Sequence, residues 1–208
     1  MIHISLFNSK LDGSKLGMAP IPSVNLPPVK TCRPDAPCKK TCYACKGLFL
    51  MPSNQNRLWD NWEFYDNHPM EYFREIRRAC TTSKFFRWHS AGDIPSAWYF
   101  WNMVQVAKDI PDTKFLCFTK QYETVNTYLN RFGWLPENLI VVFSAWGDYE
   151  FENPHRLPVA YIRLKSGEGA DKIPANARKC NGYCAECILG SGNCWNMQHG
   201  DGVVFDEH

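Results

Sequence analysis

Two short stretches near opposite ends of this chain each oblige four thiols to share a small volume. Cys32, Cys38, Cys42 and Cys45 fall within fourteen positions, and Cys180, Cys184, Cys187 and Cys194 within fifteen. Both groups contain Cys-x3-Cys-x2-Cys, with the fourth cysteine before the triplet in the first group and after it in the second. Thiols spaced this closely converge only if the backbone loops around a common centre, so neither stretch suits a long regular element. The regular structure must lie between them. Two further cysteines, Cys80 in "REIRRAC" and Cys117 in "KFLCFTK", sit in helical or apolar contexts and read as small buried hydrophobes.

Three chemistries suit such groups. Disulfides belong to oxidising compartments. The N-terminal "MIHISLFNSKLDGSK" has no basic segment followed by an apolar one, and no apolar run approaches the roughly 18 residues of a membrane span, so a cytoplasmic protein is expected. Zinc takes four ligands in a tetrahedron, its paired cysteines usually two to four residues apart. A cubane iron–sulfur cluster takes one thiolate per iron, and runs of close cysteines supply them. Spacing alone leaves zinc open as the alternative metal, while iron–sulfur is the preferred reading for both groups.

The composition sets further bounds. At 208 residues the chain fits a single domain, read as an N-terminal strand and first cysteine group (1–47), a β/α core (48–165) and a C-terminal cysteine group (166–208). Eight Trp, nine Tyr and 13 Phe can fill a large core, and a net charge of +2 gives no electrostatic footprint of a nucleic-acid binder.

Residues 2–7, "IHISLF", read as a strand, and the Pro-rich stretch that follows to residue 31 reads as loop. "PSNQNRLWDNWEFY" and "DNHPMEYFREIRRAC" read as helices, the second capped by Asp66 or Asn67 with Met70, Phe73 and Ile76 on its apolar face. Then "KFFRWHS" reads as a strand, a helix follows with Pro95 in its first turn, and "TKFLCFT" reads as a strand. "YETVNTYLNRF" reads as a helix, "NLIVVFSA" as a strand and "VAYIRL" as the final strand. Successive β-then-α beats predict parallel strands with crossover helices, a partial (β/α) barrel in preference to an open doubly wound sheet.

In such folds chemistry gathers at the carboxyl ends of the strands. Those ends are "RWHSAGD" (87–93), "FTKQ" (118–121) and "FSAWGD" (143–148), which carry His89, Ser90, Asp93, Thr119, Lys120, Ser144 and Asp148. Lys120, His89 and Asp93 are the candidate catalytic residues, and Ser90, Gly92, Asp93 and Ser144 the candidate cofactor contacts. Gly92 would let backbone approach a ligand closely, and Arg87 could serve as a carboxylate clamp if it points inward.

Two resemblances follow from these residues. The Cys38–Cys42–Cys45 triplet, with "SAGD" some tens of residues later, resembles radical S-adenosylmethionine enzymes. That resemblance implies three protein thiolates on a [4Fe-4S] cluster, S-adenosylmethionine on the open iron near Gly92 and Asp93, and Lys120 or Ser144 meeting its carboxylate or ribose. It also implies an external electron donor and a small-molecule or macromolecular substrate. More closely, "NSK" (8–10), "LPPVKTC" (26–32), "CYACKG" (42–47), "FRWHSAGD" (86–93), "FTK" (118–120), "PENLIVVFSAW" (136–146) and the closing "CW" (194–195) resemble the phage gene product eighty-eight family over nearly the whole chain. By that resemblance the cytoplasm would be that of a host cell.

Three functions compete at this stage. In the first, the chain is a radical enzyme with a second cluster on Cys180, Cys184, Cys187 and Cys194. In the second, Cys32 supplies a fourth thiolate, closes the first cluster and leaves an electron-transfer or structural protein. In the third, zinc staples an interaction module at both cysteine groups.

Overall fold

The computed structural model describes residues 2–5, 11–190 and 194–207. Eight strands form one sheet: β1 (Ile4–Ser5), β2 (Ser23–Val24), β3 (Phe85–Trp88), β4 (Lys114–Thr119), β5 (Leu139–Ser144), β6 (Val159–Arg163), β7 (Arg178–Lys179) and β8 (Gly202–Asp206). The helices are α1 (Pro52–Asn67), α2 (Pro69–Cys80), α3 (Ala97–Asp109), α4 (Tyr122–Phe132) and α5 (Cys184–Leu189). The strands run in the order β1-β2-β3-β4-β5-β6-β8-β7, parallel throughout except for the antiparallel β1–β2 pair.

Local chemistry sets the helix ends. Pro52 and Pro69 open α1 and α2, where a missing N–H costs nothing, and the bias against helix before a proline turns the chain at His68 (ψ 57°). Ser96 caps α3 by accepting from the Tyr99 amide at 3.1 Å. Gly133, left-handed at φ 77°, closes α4.

From β2 to β6 the sheet adds each strand beside the last without reversing, so a doubly wound order is absent. Helices α1 to α4 pack on one face. Period-2 alternation places Phe86, Trp88, Phe115, Cys117, Leu139, Val141 and Phe143 in the core against Tyr72, Phe73, Ile76, Tyr99, Met103, Val125 and their neighbours. The alternate residues Leu116, Val142, Ala160 and Val203 pack on the other face with Leu11, Ile21, Trp195 and Met197. That second face is covered by the N-terminal loop and the C-terminal cysteine segment instead of by long helices. Among the described residues no ladder joins β1 to β7, so the sheet stays open at both edges.

The helix α4 and the strands β3 to β6 lie where the sequence places them, while several details differ. β2 arises inside the Pro-rich stretch read as loop: Ser23 and Val24 fall between prolines, and tertiary pairing to Arg87 and Trp88 supplies the order that local propensity lacks. "VAYIRL" is not the last strand, since β8 pairs with β6 over five residues. No helix stands between β5 and β6. Pro95 precedes the cap of α3, and neither Asp66 nor Asn67 caps α2, because α1 runs through both. Met70 is exposed and Tyr72 takes the buried place beside Phe73 and Ile76. The N-terminal strand is described at Ile4–Ser5, and residues 6–10, with the "NSK" motif, lie outside the described residues. Cys80 and Cys117 are fully buried in the helix-side core.

Trp195 is 1% exposed, meets Phe85 edge-on and donates from Nε1 to the Phe86 carbonyl at 3.4 Å. Trp195→Ala is expected to cost about 3–5 kcal/mol, read as a lower midpoint in chemical denaturation.

Candidate functional site

A cavity of about 720 Å³ lies along the face of the sheet opposite α2, α3 and α4 and extends past the strand ends to Asn54, Arg57, Leu58 and Asn61 of α1. Its floor is made by the side chains Arg87, Leu116, Phe118, Ser144, Ala160 and Phe205 from β3, β4, β5, β6 and β8. The strand-end residues His89, Ser90, Gly92, Asp93, Thr119 and Lys120 line it as well. Cys32, Cys38 and Cys42 of the first group, and all four cysteines of the second, share this same wall. Cys45 is not in the lining, although its amide bonds the Cys42 carbonyl at 3.0 Å. Asp148 stands apart, paired with Lys172 at 3.4 Å on the surface.

The first cysteine group rides on three successive 3₁₀ turns, Pro37–Lys40, Tyr43–Cys45 and Gly47–Leu50. Ala44 lets this loop lie flat, packing with Leu58 and Ala91. The Tyr43 hydroxyl donates to the Ser90 carbonyl. Upstream, Arg33 binds Asp35 (2.6 Å), Glu123 (3.2 Å) and the Lys120 carbonyl (3.3 Å) while covering Tyr122 and Tyr149. Those contacts fasten the loop to the start of α4.

Asp93 organises the strand ends. Its carboxylate accepts from its neighbour Ile94 N (2.8 Å), from Thr119 Oγ1 (2.6 Å) and from Lys120 N (2.9 Å), and its own amide donates to Thr31 Oγ1 at 3.1 Å. Burial raises its pKa, and the hydrogen bonds from Thr119, Lys120 and Ile94 pull it back down. Gly92 sits at φ +80°, and a Cβ there would lie 2.6 Å from the Leu26 carbonyl oxygen and 2.8 Å from Thr31 Oγ1. The glycine is required by backbone packing on both counts.

Lys120 Nζ lies 5.6 Å from the centre of the Trp146 ring. The Ser144 carbonyl accepts from Tyr122 at 2.5 Å. His89 is 3% exposed with a left-handed φ of 52°, and its Nε2 is 3.0 Å from the Tyr99 hydroxyl. Burial, with the Arg87 charge adding to it, lowers its pKa to about 3, so the ring is neutral at physiological pH.

All ten cysteines are unbridged thiols. Burial pushes Cys32 and Cys194 up to about 12 and raises Cys38, Cys42 and Cys187. Cys187 Sγ donates to Asn181 Oδ1 at 3.2 Å, and Cys180 Sγ accepts from Gly182 N at 3.3 Å. The donor set suits a soft metal or a cluster. As the side chains are placed, no three His, Cys, Asp or Glu residues among those described converge tightly enough to hold a metal ion.

Fold and site together define an α/β protein with an open, mostly parallel sheet and a cavity walled by two cysteine groups. A family model described as gene product 88 matches residues 5–190, and the chain belongs to that family. No curated protein and no solved structure matches it. Among the described residues no helix is long and apolar enough to cross a membrane.

Sequence reasoning missed Tyr99, Tyr72 and Thr31 as partners of the site. The distant pairing of Thr31 with "SAGD" has no sequence periodicity to betray it.

Two outcomes follow from this geometry. His89 is held neutral when folded but takes a proton near its ordinary pKa when unfolded, so its contribution is present above about pH 6.5 and is lost as pH falls toward 3. Between pH 7 and 5.5 this contribution falls by about 1.2 kcal/mol in denaturant titrations, and His89→Gln removes that part of the slope. Gly92→Ala is expected to cost at least about 2 kcal/mol, with the loss appearing as a lower melting temperature.

Proposed function

We propose that the protein is an iron–sulfur protein with a radical S-adenosylmethionine-like active site. In this reading the sheet is a partial barrel. Cys38, Cys42 and Cys45 hold a [4Fe-4S] cluster, and Cys180, Cys184, Cys187 and Cys194 hold a second. The observation that carries this is that Cys32, Cys38 and Cys42 of the first group and all four cysteines of the second line one cavity that reaches the carboxyl ends of the parallel strands. Structural staples would have no need to share a chamber that size. The volume lies within the range of small-molecule sites.

The cluster's chemistry is one-electron reductive cleavage of S-adenosylmethionine, with the electron supplied by an external donor. The chain's own residues position and enclose. The Ser90 hydroxyl and the Gly92 backbone offer polar groups beside the first cysteine loop, while Lys120 and Ser144 face the same space from the next two strand ends. The floor of Leu116, Phe118, Ala160 and Phe205 excludes water from the reacting centre.

A second reading has one observation in its favour. Cys32 lies in the cavity wall with Cys38 and Cys42, close enough for each of their charges to raise its pKa. Were Cys32 a fourth ligand, the cluster would be closed and the protein an electron carrier.

The test is iron, acid-labile sulfide and zinc content of protein purified without oxygen, then 5′-deoxyadenosine formation on reduction with S-adenosylmethionine. The radical reading expects about eight irons and eight sulfides per chain. Cys38→Ala loses about half the iron and all cleavage, whereas Cys32→Ala keeps both. Loss of iron in Cys32→Ala favours the closed cluster. Two zincs without sulfide would end both readings in favour of a zinc-stapled module.

A further inference from the structure

Two cavity-lining residues each carry a buried nitrogen with no hydrogen-bond partner, Arg87 Nε and His89 Nδ1. Both residues line the cavity, two positions apart at the end of β3. The Arg87 guanidinium has no hydrogen-bond or carboxylate partner among the described residues; the Phe118 ring covers one of its faces at 4.4 Å. The cavity's acids are committed elsewhere: Asp93 accepts from Thr119 and Lys120, and Asp206 pairs with Arg163 and Lys179.

The tautomer of His89 is set by the direction of the hydroxyl chain behind it. Its Nε2 meets the Tyr99 hydroxyl, which meets the Tyr72 hydroxyl at 2.9 Å. Tyr72 and Tyr99 are fully buried, and the Tyr72 hydroxyl has no other hydrogen-bond partner among the described residues. Either direction of this chain leaves one donor unmet: the Tyr72 hydroxyl proton, deep in the helix-side core, or the His89 Nδ1 proton, on a cavity-lining residue. A ligand carboxylate can relieve only the second, so it selects the arrangement in which Tyr72 donates to Tyr99, Tyr99 donates to Nε2, and the ring proton sits on Nδ1. That N–H is a donor without an acceptor, on a residue whose left-handed backbone is itself strained. Two such donors beside a cavity are unfinished hydrogen-bonding business that a ligand can complete.

We propose that Arg87 and His89 form the binding site for the carboxylate of a small organic acid, with Arg87 Nε–H and His89 Nδ1–H as its donors. A carboxylate suits the pair because it is planar, carries a single charge and matches the guanidinium fork. The apolar surround of Leu116, Phe118 and Ala160 penalises a dianion such as phosphate more heavily. The same surround receives the rest of the molecule. This site rests on the cavity being a reaction chamber but does not depend on the metal.

Binding of benzoate, with inorganic phosphate as the comparison, is measured by calorimetry on the anaerobic protein, with iron determined on the same sample. One benzoate per chain is expected, weakened about tenfold in Arg87→Met and severalfold in His89→Gln. Arg87→Lys keeps the charge but not the fork, and covers the case in which Arg87→Met fails to fold; it too should bind more weakly. No saturable benzoate binding, unchanged affinity in the Arg87 variants, or tighter binding of phosphate would each overturn the assignment. S-adenosylmethionine is then added: competition with benzoate assigns the site to the methionyl carboxylate, and independent binding assigns it to a separate substrate, both keeping the donor pair. Benzoate binding without iron would leave this site standing and remove the metal reading, and iron without benzoate binding would do the reverse.

Discussion

The carboxylate of Asp93 ties together three pieces of chain that have no local reason to meet. It bridges the end of β3 to Thr119 and Lys120 at the end of β4, and its amide reaches Thr31, one residue before the first cysteine. Thr31 in turn donates to the Pro27 carbonyl, and its own carbonyl accepts from Gln121. The position of the first cysteine loop over the strand ends is thus a consequence of one buried acid whose oxygens are satisfied. A buried carboxylate is tolerated only under that condition. Asp93 is therefore better understood as the fastening of the site than as a group free to move protons.

The second constraint is the direction in which the sheet grows. Because each strand from β2 to β6 is laid beside its predecessor, α2 to α4 fall on one face and leave the other for a cavity that α1 borders at the strand ends. The aromatic residues divide accordingly. Tyr72, Phe73, Trp88 and Tyr99 make a dense edge-to-face cluster under the helices, while Trp195 plugs the opposite side beside the second cysteine group. The two cysteine groups, separated by more than half the chain in sequence, reach one space because β8 returns to pair with β6.

Much of this was legible in the chain itself. The helix over "YETVNTYLNRF" and the strands around Phe86, Leu116 and Val141 declare themselves through periodicity and flanking turn residues. The strand ends with His89, Ser90, Gly92, Lys120 and Ser144 do gather at one mouth. β2 was not legible, since two residues among prolines carry no pattern and are ordered only by distant partners, β1 about twenty positions before and β3 about sixty after. Nor was the tyrosine relay behind His89: Tyr72 and Tyr99 look like ordinary apolar helix positions until packing brings their hydroxyls together. Asp148 misled because a polar residue after a strand faces the mouth only if the turn directs it there, and this one turns outward to Lys172.

In the proposed function both cysteine groups carry clusters facing one chamber. Electron paramagnetic resonance of the anaerobically purified, fully reduced protein tests it most directly. Signals from two reduced clusters are expected, broadened by their mutual spin coupling and reduced to one uncoupled signal when Cys184 is replaced by alanine. A reduced protein with no cluster signal, or two signals indifferent to each other, would contradict it.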